Sequence, residues 1–214
     1  GPAEAPAKDL LGAEATAGSP PHQRRGRGRF DRHWESQPNH SLTMSLVIRD
    51  CQNHPRPWLV GMAVAVQVGH LLTARVRWPN DLSLGGRKVG GILTEVVEGV
   101  PIVGIGLNLH QTEFPPDLAP QATSLRLEGR MPGQPLEVAQ QIEARLNGLR
   151  WPMSWSELQQ DWQSIDDTPG KLYKFSDGRR GTAIRVGVHG ELICMTSAGE
   201  ESVLAADALY SVVR

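Results

Sequence analysis

The sequence predicts an α+β fold: a layered domain built on a sheet, followed by a smaller all-β module. Three observations carry this. Short apolar runs with strand character surround one long apolar helical run, two later stretches have helical spacing, and after Thr168-Pro169-Gly170 the texture changes to a series of short strands. A chain of 214 residues is long enough for one domain with a small appendage.

The elements follow in order. Residues 1–21, rich in alanine, glycine and proline with little apolar pattern, read as a flexible lead-in. From Ser41 the run SLTMSLVIRD alternates as a strand does, and Pro55 and Pro57 then introduce a helix over Leu59 to Ala74. Gln67 and His70 interrupt that apolar run, and it falls short of the roughly 20 residues that cross a bilayer, so it predicts a buried amphipathic helix rather than a membrane span. Ala74 to Trp78 reads as another strand, ended by Pro79. Asp81 to Leu84, the Gly85-Gly86 turn and the returning VGGILTEVVEG read as a hairpin, and Ile102 to Leu109 as a further strand. Leu136 to Leu149 has the spacing of an amphipathic helix; Ser154 with Glu157 predicts a capping box opening the next, through Trp162 to Ile165. The runs KLYKF, GTAIRVGV, ELICMTS, ESVLAA and ALYSVV have the size and spacing of a small barrel, which places a boundary near residue 167.

Composition removes several functions. Lys and Arg number 22 against 23 Asp and Glu, so the overall field does not hold a nucleic acid. Cys51 and Cys194 form no zinc or redox spacing, which suits a reducing, cytoplasmic setting. The seven histidines show no metal-ligand spacing, and no Ser/His/Asp or Cys/His arrangement stands out.

Three segments carry chemistry. HQRRGRGRFDRHW, from His22 to Trp34, sets five arginines against one aspartate. Its glycines free the backbone and its guanidiniums match phosphate or carboxylate oxygens, although an arginine-glycine tract is also an RNA-binding composition. Trp34 either stacks on a base or anchors the loop. In the second segment, Asn80 and Asp81 end a strand behind a proline, and Lys88 returns near the hairpin turn, with Asp81 as its partner across the hairpin; the alternative is a surface ion pair of little worth. In the third, the glycines of GIGLN at 104 to 108 interrupt an apolar strand without the GxGxxG spacing of a dinucleotide site. They mark a bulge or twist, or a place where a ligand approaches the backbone; Asn108 ends the strand or faces a polar ligand.

At these residues the chain resembles the biotin protein ligase family. The matching pieces are GRGRFDRHW at 26–34, LTMSL at 42–46, RWPNDLSLGGRKVGGILTE at 77–95, GIGLNLH at 104–110 and QATSL at 121–125, in the family's order over residues 22–214. The resemblance implies a class II synthetase-like catalytic domain with a mixed sheet over 22–167 and an SH3-like barrel over 168–214. It implies ATP-dependent formation of biotinyl-5'-AMP, with Mg²⁺, and transfer of biotin to a lysine of a biotin carboxyl carrier protein, the partner; it allows a homodimer and suggests neither nucleic acid nor membrane. By the same resemblance Lys88 and Arg29 are catalytic, with Lys88 between the biotin carboxylate and the α-phosphate. Gln23, Gly26, Arg27 and Arg29 form the loop over the ligand, and Arg32 and Trp34 shape its nucleotide end. Asn80 and Asp81 place ATP and its magnesium, Asp81 being the metal contact. Gly91, Gly104 and Gly106 line the biotin side, and Asn108 closes the phosphate region.

The chain departs from the family pattern in two places. No counterpart of the family's hydroxyl-bearing STN-type segment precedes Gln23, where Thr16 and Ser19 are poor substitutes, and no winged-helix repressor domain is expected. Asp31 stands where the pattern usually has glycine. The alternatives are a catalytically weak or inactive ligand-binding or scaffold relative, and a lipoate ligase or octanoyl transferase relative.

Overall fold

The computed structural model describes residues 26–27, 33–34, 39–204 and 206–209, with side chains over 39–204. The predicted lead-in over 1–21 lies outside the described residues. Two short strands, β1 (Gly26–Arg27) and β2 (His33–Trp34), pair antiparallel, Gly26 with Trp34 and Arg27 with His33.

The main sheet is formed by β3 (Ser41–Val47), β4 (Arg75–Arg77), β5 (Asp81–Leu84), β6 (Arg87–Val97) and β7 (Val100–Asn108), in the order β3-β7-β6-β5-β4. All of its ladders are antiparallel. The resemblance led us to expect a mixed sheet. Its parallel character is confined to two bridges, Val76 with Asp166 and Lys88 with Ala122, where later segments run beside β4 and beside the start of β6. Along β3 the alternation read from the sequence holds, with Leu42, Met44 and Leu46 in the core and Ser45 exposed.

Helix α1 (Pro57–Leu72) starts with proline in its first turn and ends at Thr73, which takes a left-handed conformation. Every residue from Leu59 to Gly69 is buried, so the helix is enclosed rather than amphipathic, a correction to the sequence reading. The sheet covers one side. Helices α2 (Pro135–Asn147) and α3 (Trp155–Ser164) contact it on others, and Gln67, the polar interruption, accepts a 2.9 Å hydrogen bond from Nε of Arg145. Close approach also fixes one glycine: a Cβ on Gly61 would overlap the Thr94 hydroxyl on β6. Both later helices open with capping boxes, the expected Ser154/Glu157 and also Gln134/Glu137.

The C-terminal strands β8 (Leu172–Phe175), β9 (Arg180–Val186), β10 (Leu192–Thr196), β11 (Gly199–Val203) and β12 (Ala206–Leu209) form a second antiparallel sheet in the order β11-β10-β9-β8-β12. Cys194 is buried in it and its thiol is pushed up to about 11, chiefly by burial and then by Glu201, as suits a packing residue. Cys51, also buried, is raised to about 11 by burial and Asp50.

The two sheets meet at Trp78. Its backbone N–H donates to Oγ1 of Thr168 at 2.9 Å, its carbonyl accepts from Oη of Tyr173 at 2.8 Å, and its indole N–H donates to the Gly190 carbonyl at 2.9 Å. Residues 168–190 thus satisfy every polar group of the residue that opens the WPND segment. Beside it, buried Arg77 pairs with Asp167 at 2.5 Å.

Candidate functional site

The face of the main sheet opposite α1 is floored by glycine. One row across it runs from Asp81 through Gly91 and Gly106 to Thr43, and the next from Leu93 through Gly104 to Ser45. Their neighbours Leu82, Ile92, Ile105 and Met44 are nearly fully buried on the core side. With no side chains at Gly91, Gly104 and Gly106, a ligand on this face would lie against backbone. A Cβ on Gly104 would approach nothing closer than 3.7 Å, so its surroundings leave space there.

Lys88 reaches this face through a β-bulge. Counting by twos along β6, Lys88 would share the core side with Ile92. Against β5, however, Lys88 pairs with Ser83 and Gly90 with Leu82, which leaves Val89 as an extra residue. The bulge brings Lys88 round to the side of Gly91, whose Cβ position is 3.4 Å from Cε and Nζ of the lysine. There Nζ lies 2.6 Å from Oδ1 of Asp81, the residue paired with Gly91. The lysine side chain is 35% exposed and that of the aspartate 11%. The pair is therefore half enclosed, the lysine keeping an open side toward the glycine rows, unlike an ordinary surface ion pair.

The remaining expected residues divide into three groups. Asn80 is pinned across the hairpin, its carbonyl accepting from the Ile92 N–H at 2.7 Å and its side-chain amide donating to the Ile92 carbonyl. Asn108 is buried, and both ends of its amide are engaged within the fold: Nδ2 donates to the Thr123 carbonyl at 3.0 Å and Oδ1 accepts from Nε2 of Gln111 at 3.1 Å. Gly26, Arg27 and Trp34 are placed by backbone alone, in the β1–β2 ladder. Gln23, Arg29 and Arg32, like Asp31, lie outside the described residues.

Sequence reasoning missed three contributors. The hydroxyl of Thr43, at the end of the glycine row, is buried and finds no hydrogen-bond partner among the described residues, the state of a group that a ligand would complete. Its sequence signal is a polar residue between Leu42 and Met44. Thr123, inside the QATSL motif, and Glu128, three residues beyond it, brace the start of β6, and nothing in their spacing announces this role. As for metals, the described residues hold no cluster of three or more His, Cys, Asp or Glu side chains. No helix among them is long and apolar enough to cross a membrane.

A glycine-floored sheet face with one lysine and its counter-ion at the edge defines the candidate site of this α+β domain, and comparison with known proteins shows what it resembles. The model of the Biotin/lipoate A/B protein ligase family matches residues 21–111. The bifunctional ligase/repressor BirA of Bacillus subtilis is 30% identical over 214 residues, covering 86% of this chain and 63% of the relative. The biotin--[acetyl-CoA-carboxylase] ligase of Mycobacterium tuberculosis is 31% identical over 163 residues, 70% of this chain and 60% of that protein. Among solved structures, the biotin protein ligase of Aquifex aeolicus in complex with biotin and ATP superposes with a TM-score of 0.68 at 26% identity, over 87% of this chain and 85% of that one. The Leishmania major biotin protein ligase in complex with biotinyl-5-AMP, at 23% identity and a TM-score of 0.58 over 88% and 85% of the two chains, shares the fold. In sequence and in fold the chain is similar to biotin protein ligases. It spans less than two thirds of the length of the two sequence relatives, 63% and 60%.

Proposed function

We propose that this chain is an ATP-dependent biotin–protein ligase, with residues 22–167 as its catalytic domain and 168–214 as an SH3-like companion. The observation that carries the reading is the bulge-directed Lys88, paired with Asp81 beside an open row of glycines. In the first step a carboxylate oxygen of biotin attacks the α-phosphorus of ATP. A new P–O bond forms, the bond to the β-phosphate oxygen breaks, and pyrophosphate leaves. Two anions are forced together in this step, and a fixed ammonium offsets their repulsion most where charge builds on the phosphoryl oxygens. Gly91, Gly104 and Gly106 let biotin lie on the sheet, and the unpartnered Thr43 hydroxyl offers it a polar contact.

The remaining assignments rest on the family resemblance. Gln23, Gly26, Arg27, Arg29, Arg32 and Trp34 cover the ligand and its phosphates, Asn80 and Asp81 bound the nucleotide, and Asn108 fixes the wall of the phosphate region. Asp81, whose Oδ1 holds Lys88, would also stand beside an ATP-bound magnesium, which would offset charge on the phosphates. In the second step the neutral amine of a carrier lysine attacks the acyl carbon, an amide forms and AMP departs; exclusion of water matters more here than an enzyme nucleophile. The partner is a biotin carboxyl carrier protein such as that of acetyl-CoA carboxylase, the protein works in the cytoplasm, and the family resemblance allows a homodimer.

The test is to incubate the chain with biotin, Mg-ATP and a carrier domain. Mass spectrometry should detect biotinyl-5'-AMP and a carrier heavier by one biotinyl group, with pyrophosphate released only when biotin is present. Absence of both products at high protein concentration would assign the chain to the inactive relatives.

A further inference from the structure

Lys88 borders the bulge, paired with Ser83 of β5 on one side but beyond Gly90, where the β6–β7 pairing ends, on the other, so the ladders alone would leave its backbone poorly fixed. A different segment supplies the support. The Lys88 N–H donates to the Gln121 carbonyl at 2.8 Å, and its carbonyl accepts from the Thr123 N–H at 2.8 Å. The segment is in turn fastened to the hairpin by one carboxylate. Oε1 of Glu128 accepts from Oγ1 of Thr123 at 2.7 Å and from Nη2 of Arg87, the neighbour of Lys88, also at 2.7 Å. The β5–β6 turn leaves space for it: Gly85 has φ +55, and a Cβ there would stand 3.1 Å from Oε2 of Glu128. Thr123 also receives the Asn108 amide on its carbonyl, which ties the clamp to the end of β7.

We infer that Glu128 is a positioning residue for Lys88: by joining Arg87 to Thr123 it holds the 121–123 segment on the bulge and so fixes the ammonium beside Asp81. The inference rests on the proposed ligase reading for its consequence in catalysis, though not for its effect on the lysine. A lysine displaced by an ångström loses its advantage in the transition state before it stops attracting anions, so turnover suffers more than binding.

The experiment compares Glu128→Ala and Glu128→Gln with the unaltered protein, reading adenylation kinetics and the rate at which an N-hydroxysuccinimide acetate reagent acylates Lys88, followed by peptide mass spectrometry. Glu128→Ala should lower the adenylation kcat about tenfold with KM for ATP changed less than about twofold, and speed Lys88 acylation about threefold. Glu128→Gln keeps an acceptor oxygen for Thr123 and Arg87 and should reverse most of both effects, restoring kcat and slowing acylation again. Unchanged acylation of Lys88 in the alanine variant, with or without a fall in kcat or melting temperature, would overturn the inference, because Glu128 would then act elsewhere. If the unaltered protein forms no adenylate while Lys88 acylation responds as stated, the positioning role stands and the ligase reading fails.

Discussion

Nζ of Lys88 lies 2.6 Å from Oδ1 of Asp81, although the ladder pairs Lys88 with Ser83 and Asp81 with Gly91. The extra residue Val89 reconciles the two facts: it advances β6 by one position and moves the lysine from the core side to the glycine side. The placement of the lysine on this face therefore depends on an irregularity of the backbone as much as on the residues themselves.

Two adjacent glycines should respond differently to the same change. A Cβ on Gly90 would fall 2.6 Å from Cδ2 of Leu107 and 2.8 Å from the Gly106 carbonyl, so Gly90→Ala should destabilise by about 1 to 3 kcal/mol. On Gly91 it meets the end of the Lys88 side chain at 3.4 Å and Oδ1 of Asp81 at 3.8 Å, ordinary contacts. Gly91→Ala should leave the melting temperature nearly unchanged and raise KM for biotin about tenfold, equivalent to ~1.4 kcal/mol. Thermal unfolding beside steady-state kinetics separates them; equal destabilisation by the two would refute the placement of Gly91 on the open face.

Tyr173→Phe tests the junction between the two sheets. It removes the donor to the Trp78 carbonyl and keeps the ring that packs edge-on against that indole, with centroids 6.0 Å apart. An unsatisfied buried carbonyl costs about 1 to 2 kcal/mol, a fall in melting temperature of about 2 to 8 °C for a chain of this size. No change in calorimetry would show that the two sheets do not depend on this bond.

Acid stability should report on Asp167. Burial raises its pKa, but hydrogen bonding and charge from Arg77, then Ser83 and Lys171, outweigh burial and hold the carboxyl below its ordinary value. A depressed folded-state value gives stability that is complete above the unfolded pKa of about 3.9 and is lost as pH falls through the folded value. Asp167→Asn should therefore cost about 3 kcal/mol at pH 7, because Arg77 is only 2% exposed, and the deficit should shrink below about pH 4. Asp166 shifts the other way, raised chiefly by burial, so its ionisation opposes folding at neutral pH and this penalty fades as pH falls. Denaturant midpoints across pH 3 to 7, with Asp166→Asn as the control of opposite sign, check both.

Much of this was legible in the sequence because it rests on local periodicity. The strands around Leu42-Thr43-Met44 and the Ser154/Glu157 cap follow from alternation and side-chain chemistry that adjacent residues carry themselves. The Lys88–Asp81 pair was legible as well, since a two-glycine turn brings the strands of the hairpin together. The bulge was not, because RKVGGIL contains nothing that tells an extra residue from a regular one. Enclosure of α1 by α2, α3 and the sheet depends on packing between distant segments, so an apolar run broken by Gln67 and His70 reads as amphipathic although every residue from Leu59 to Gly69 is buried. Asn108 allowed two readings from its amide alone; only the folded contacts, with nearby Gln111 and with Thr123 fifteen residues on, reveal that both ends of the amide are engaged.

The most direct test of the account is single-turnover adenylation by Lys88→Ala beside the unaltered protein, with biotin binding measured on both. Losing a close charged contact in the transition state costs about 2 to 5 kcal/mol, so the rate should fall from tens-fold to thousands-fold while biotin affinity changes much less. An active unaltered protein with an equally fast Lys88→Ala variant would contradict it, leaving the Lys88–Asp81 pair as a hairpin contact with no part in the chemistry.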